Sequence, residues 1–113
     1  MPSNTPSDCL IIFARYPEPG KVKTRLMPAV GAEGAARIYR EMAEYTLAQA
    51  RAAARMKGIA LQLWFTGGNR EALGQWRGQD ISYHPQPEGD LGERLIVAFQ
   101  SAFEAGYRAA IAI

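Results

Sequence analysis

Short unbroken apolar runs alternate along this chain with longer stretches whose apolar residues recur at helical spacing. The first run, CLIIFAR from Cys9 to Arg15, is rich in isoleucine and bounded by polar residues, the pattern of a strand buried on both faces. YPEPGK ends it, because each proline fixes φ and biases the residue before it away from helix. From about Ala32 to Arg55 the period becomes helical. Tyr39, Met42, Ala43, Thr46, Leu47, Ala50 and Ala54 form one stripe, and Arg37, Arg40, Glu41, Glu44, Arg51 and Arg55 form another. This predicts a long amphipathic helix lying on a sheet and stopping at Gly58.

IALQLWF, Ile59 to Phe65, reads as a second strand ended by TGGN, and REALGQWR as a short helix. ISYHP is a weaker third strand, cut off by Pro85 and Pro87. Leu91, Leu95, Ala98, Phe99, Ala102, Phe103 and Gly106 then mark another helical stripe, and RAAIAI begins a fourth strand. The order is β-α-β-α-β-α-β with no hairpin signal, which predicts an α/β fold: a three-layer, Rossmann-like, mostly parallel sheet with helices on both faces. Residues 1–8 read as a polar tail and 9–113 as part of a single domain. Ligands of open parallel sheets sit beyond the carboxyl ends of the strands. The chain stops where the next such loop is due, so the expectation is a domain truncated after its fourth strand.

Composition adds exclusions. A hydrophobic content of 48% belongs to a globular chain. The 13 basic and 11 acidic side chains leave a net charge of only +2, which argues against a general nucleic-acid binder and puts the weight on local clustering. No apolar run approaches the ~20 residues of a membrane span, and the N-terminus has no signal pattern. A cytoplasmic protein is the expectation. The single cysteine, Cys9, excludes an internal disulfide and reads as core filler.

The local cluster is FARYPEPGKVKTRL, where Arg15, Lys21, Lys23 and Arg25 fall within eleven residues. It follows the first strand and precedes the first helix, the place where mononucleotide-binding α/β folds hold phosphates with backbone N–H groups and cations. Charge-assisted hydrogen bonds of about 1.5–3 kcal/mol each offset the desolvation of a diphosphate. The prolines pre-order the loop, and Gly20 permits a left-handed turn. A Walker A loop is ruled out by Arg15 at its first glycine position and by KV after Gly20, and no GxGxxG fingerprint is present. On position alone, a solvated surface loop remains an equal reading.

The wording of the segment goes further. LIIFARYPEPGKVKTRL, then PEGDLGERLIVAF, then AAIAI resembles a bacterial glycosyltransferase-like family associated with radical-SAM and selenium-related genes, formerly a domain of unknown function. The resemblance runs from Leu10 to Ile113, and its P-x-P-G-x-x-K-T-R-L core is specific. It implies the nucleotide-diphospho-sugar transferase (GT-A) fold, with Arg15, Pro19, Gly20, Lys21, Lys23, Thr24 and Arg25 forming the nucleotide-phosphate site. The spacing from Lys21 to Leu26 is also similar to the phosphate-binding segment of phospholactate guanylyltransferases. In the family the last strand continues into a segment whose aspartate is the expected ligand of Mg²⁺ or Mn²⁺. That position lies beyond Ile113, so the resemblance implies no metal ligand within this chain.

PEGDLGERL supports two readings. Asp90 and Glu93 have the spacing of a helix capping box. Arg94 is also a candidate contact to phosphate or ribose, and Gly92 a point of close approach. Gly67, with Gly68, either makes room for a base or forms a plain turn. His84 has no partner at metal-ligand spacing, Asp8 and Asp80 precede the first and third strands at the end opposite the ligand edge, Trp64 and Trp76 read as core, and no catalytic residue is assigned. The expected function is transfer of a sugar from a nucleotide-diphospho-sugar to an unknown acceptor, by a protein inactive in this fragment. The alternatives are nucleotidyl transfer from an NTP and a non-catalytic nucleotide-binding module. An exposed sheet edge also favours self-association.

Overall fold

The computed structural model describes residues 7–78 and 81–113. Most of the expected N-terminal tail, and Asp80, lie outside them. The elements run β1 (Asp8–Arg15), a 3-10 turn (Thr24–Leu26), α1 (Met27–Lys57), β2 (Ala60–Thr66), α2 (Arg70–Arg77), β3 (Ser82–Pro85), α3 (Leu91–Glu104) and β4 (Ala109–Ala112). The four strands form one sheet in the order β3-β2-β1-β4, with every pairing parallel. This is the α/β, Rossmann-like architecture that the alternation of apolar runs and helical stripes predicts.

β1 is an interior strand, and its two faces bury different partners. Ile12 packs with Leu47 and Ala50 of α1, Leu63 and Phe65 of β2, and Leu73 of α2, with Leu10 and Ala14 alongside. Cys9 and Ile11 face the opposite side, against Trp64 and against Ala98 and Ala102 of α3. A strand covered on both faces has no polar side, which is why its sequence reads as a continuous apolar run. The Cys9 thiol is fully enclosed, and burial pushes its pKa up to about 11, so it stays protonated at neutral pH.

Two helical stripes depart from expectation. α1 begins before Ala32, with Pro28 in its first turn, and is interrupted at Gly31, whose φ of 78° and ψ of 170° are not helical. A side chain there would be strained, so the glycine carries the bend. Beyond that break the helix is ~39 Å long at 1.5 Å per residue, whereas the longest strand spans only ~26 Å. The helix outruns the sheet. Met42, expected to be buried, is 52% exposed and borders a cavity of about 230 Å³ with Tyr39, Thr46, Trp76 and Ile113. On α3, Leu91 and Phe103 are also exposed, while Ala98 and Ala102 make the sheet contact. Period identifies which residues share a stripe; the extent of the sheet beneath decides which of them are covered.

α1 and α2 are joined by polar contacts as well. Trp76 Nε1 donates to Glu44 Oε2 at 2.8 Å, Arg77 pairs with the same carboxylate at 3.7 Å, and an Arg51 guanidinium N–H donates to the Arg77 carbonyl. None of the described helices is long and apolar enough to cross a membrane.

Candidate functional site

The loop after β1 is built from its own turn chemistry. Lys21 N–H donates to the Glu18 carbonyl at 3.0 Å across Pro19 and Gly20, and Gly20 has a φ of 85°. Proline followed by a left-handed glycine is the requirement of a type II turn. Val22 is then buried, at 4% exposure, between the exposed Lys21 and Lys23. This apolar foot anchors the loop and leaves a lysine exposed on either side of it. Lys23 itself lies in the left-handed region, at φ 49° and ψ 43°, alone among the described non-glycine residues. For a lysine this costs about 1–2 kcal/mol, which the surrounding loop must sustain.

The opposite wall comes from the corner after β3. Gln86 N–H donates to the Phe65 carbonyl at 2.8 Å, extending the β2 pairing past Pro85. Asp90 then caps α3. Its Oδ1 accepts from Glu93 N–H at 2.8 Å, and Glu93 Oε1 accepts from Asp90 N–H at 3.4 Å, so both carboxylates are engaged as the capping spacing predicts. The helix start so fixed carries Arg94 one residue further on.

Between these walls, beyond the carboxyl ends of β1 and β2, lies a cleft of about 390 Å³. Arg15, Lys21 and Lys23 line it from one side and Arg94 from the other, with Phe13, Tyr39, Thr66, Gln86 and Leu91 between them. No carboxylate lines it, and none of the four cations is paired with one among the described residues. Four unneutralised cations around one small cleft give a strongly positive local field on a nearly neutral chain.

The other sequence candidates are placed elsewhere. Thr24 and Arg25, on the 3-10 turn, border a separate recess with Lys23 and Leu26. Pro19 borders another with Arg37 and Arg40 of α1. Gly67 and Gly68 fold against Tyr16, where a Cβ on Gly68 would lie 3.0 Å from its ring, and Gly92 sits beside the Asp90 cap. His84 is stacked on Trp64, with ring centroids 4.9 Å apart, and its ring nitrogen lies 2.7 Å from Ser82 Oγ. Among the described residues no three His, Cys, Asp or Glu side chains converge to hold a metal ion. The described residues thus supply no such cluster for a divalent cation, and no step is derived through one.

Three cleft residues carry no functional signal in the sequence. Tyr39 belongs to the packing stripe of α1, yet its hydroxyl reaches the Arg15 main chain. Gln86 is a lone amide between two prolines. Val22 was visible only as the apolar residue separating two lysines.

Two comparisons with known proteins give a match. The model of a family described as "Uncharacterized protein conserved in bacteria (DUF2064)" matches residues 46–113, which include the Gln86–Arg94 corner but not the cationic loop. The chain is also similar to the crystal structure of a "putative nucleotide-diphospho-sugar transferase" from Desulfovibrio desulfuricans G20. Sequence identity is 36% and the TM-score 0.81 over 95% of this chain, which spans 47% of that protein's length. No curated protein matches.

Proposed function

The chain belongs to the DUF2064 family of bacterial proteins, and from this premise we propose that it binds the diphosphate of a nucleotide-diphospho-sugar and serves glycosyl transfer. One observation carries the reading: Arg15 at the end of β1 and Lys21 and Lys23 of the loop meet Arg94 of α3 in one cleft that no carboxylate among the described residues lines. Groups so far apart in sequence converge where open parallel sheets bind nucleotides. The description of the similar Desulfovibrio structure supports the donor class. The P-x-P-G-x-x-K-T-R-L wording supports the finer assignment to a GT-A-like transferase of the radical-SAM-associated type.

In such a transfer the bond between the sugar's anomeric carbon and the β-phosphate oxygen breaks, and an acceptor hydroxyl oxygen takes its place on that carbon while its proton passes to water. The departing nucleoside diphosphate gains negative charge as the bond lengthens. Cations fixed around it beforehand favour that state over the intact donor, which is how electrostatic preorganisation lowers a barrier. Arg15 and Arg94 can each bind a phosphate through two parallel N–H donors, while Lys21 and Lys23 act as point charges.

Titration calorimetry with UDP, GDP and pyrophosphate tests the binding. Each lost charge-assisted bond is worth about 1.5 kcal/mol or more, so Lys21→Ala with Lys23→Ala is expected to weaken binding by at least ~10-fold. Arg25→Ala, outside the cleft, is expected to change it little. Unchanged affinity in the double variant sinks the phosphate role. Incubation with a nucleotide-sugar or an NTP, with Mg²⁺ or Mn²⁺ supplied, then identifies the reaction. Release of nucleoside diphosphate supports glycosyl transfer, and release of pyrophosphate from the NTP moves the assignment to nucleotidyl transfer.

A further inference from the structure

Gln86 holds three groups at once. Its side-chain Nε2 donates to the Trp64 carbonyl at 2.9 Å and lies 3.4 Å from the Ala14 carbonyl, while its Oε1 accepts from Arg94 Nη1 at 3.1 Å. The amide cannot be turned over. Carbonyls only accept and a guanidinium only donates, so its nitrogen must face the strands and its oxygen must face Arg94. The side chain thus bridges the carboxyl ends of β1 and β2 and fixes one arm of the arginine. Arg94 Nε, in turn, is shielded from solvent and has no hydrogen-bond partner among the described residues. That atom is enclosed within the fold, and the cleft that Arg94 lines has no carboxylate among the described residues to neutralise the guanidinium.

We propose that Gln86 is a positioning residue: by holding Nη1 it aims the Arg94 guanidinium into the cationic cleft and leaves the second terminal nitrogen, Nη2, for an anionic oxygen of the ligand. This rests on the diphosphate-binding reading and deepens it. A free arginine must give up side-chain freedom to meet a phosphate, whereas one already held by an amide gives up less. The amide is also neutral, so it orients the guanidinium without cancelling its charge, as a carboxylate in its place would.

The test is a double-mutant cycle on the full chain, with inorganic pyrophosphate as probe and calorimetry as readout. Gln86→Met keeps the length of its side chain, Arg94→Met keeps the unbranched stem without the guanidinium, and both remove the hydrogen bonds. Each alone is expected to weaken binding by ~5–10-fold, while Gln86→Met in the Arg94→Met background costs less than ~2-fold. In ¹H–¹⁵N spectra pyrophosphate should move the Arg94 Nε–H resonance of the wild type, and Gln86→Met should displace that resonance before any probe is added. If Gln86→Met does not fold, Gln86→Glu takes its place. It should weaken binding through the added negative charge, and that loss should shrink when Arg94 is absent. Additive effects, or unchanged affinity in the Gln86 variants, overturn the positioning role while leaving phosphate binding intact. A wild type that binds no pyrophosphate overturns the diphosphate reading itself, and this inference with it.

Discussion

The Tyr39 hydroxyl accepts a hydrogen bond from the Arg15 main-chain N–H at 2.7 Å, tying the middle of α1 to the last residue of β1. Both residues line the cationic cleft. With its lone pair engaged by the main chain, the phenol keeps its own proton for an acceptor in the cleft.

Tyr39→Phe therefore removes an anchor and a donor together. The orphaned Arg15 N–H is near solvent, so the loss of stability is expected to stay at or below about 1 kcal/mol. Pyrophosphate affinity is expected to fall by about 1 kcal/mol, roughly five-fold. Thermal unfolding and calorimetry separate the two effects; a variant that loses stability but no affinity would reduce Tyr39 to a packing residue.

The left-handed backbone of Lys23 makes stability and binding separable at one position. Lys23→Gly relieves a strain of about 1–2 kcal/mol but adds backbone entropy to the unfolded chain, about 0.5–1 kcal/mol. Lys23→Ala keeps the strain. The glycine variant is thus expected to be about 0.5–1 kcal/mol more stable than the alanine variant in urea unfolding. Both lack the ammonium group and should lose pyrophosphate affinity alike. A glycine variant less stable than the alanine variant by about 0.5–1 kcal/mol would show that the left-handed conformation carries no strain.

His84 contributes a defined pH dependence. Burial, and then the charge of Arg70, lower its pKa below the ordinary value of 6.5. Below about pH 6.5 the unfolded chain takes up a proton that the native chain refuses, so stability is complete above that pH. It declines as pH falls towards the native pKa, and the loss levels off beneath it. His84→Phe keeps a ring to stack on Trp64 and should flatten this part of the profile. The difference between wild type and variant, followed by denaturant unfolding from pH 7.5 to 5.5, isolates the effect from carboxylate titration. A difference constant across that range would contradict it.

Much of the fold was legible because it follows from local pattern. The helix REALGQWR occupies Arg70–Arg77 as its sequence predicts, and Asp90 with Glu93 forms the expected cap. The site was legible as two separate stretches, the cationic loop and the PEGDLGERL segment with Arg94, but not as one cleft. Reading along the chain groups Arg25 with Lys21 and Lys23 because they are neighbours in sequence, but the 3-10 turn at Thr24–Leu26 carries Arg25 to a different recess. Arg94 takes its place in the cleft, brought there by the pairing of β3 with β2 and by the cap of α3.

By itself, then, the sequence determined the element order, the parallel class of the sheet, the β-turn through Pro19 and Gly20, and the position of a cationic loop at a strand's carboxyl end. These depend on residues within a few positions of one another, where period, turn chemistry and backbone sterics act. The tertiary structure alone decided which cations share a cleft, that Tyr39 and Gln86 belong to it, and which stripe residues remain uncovered. Those outcomes depend on strand order, on the reach of a long helix over a short sheet, and on hydrogen bonds between segments far apart in the chain.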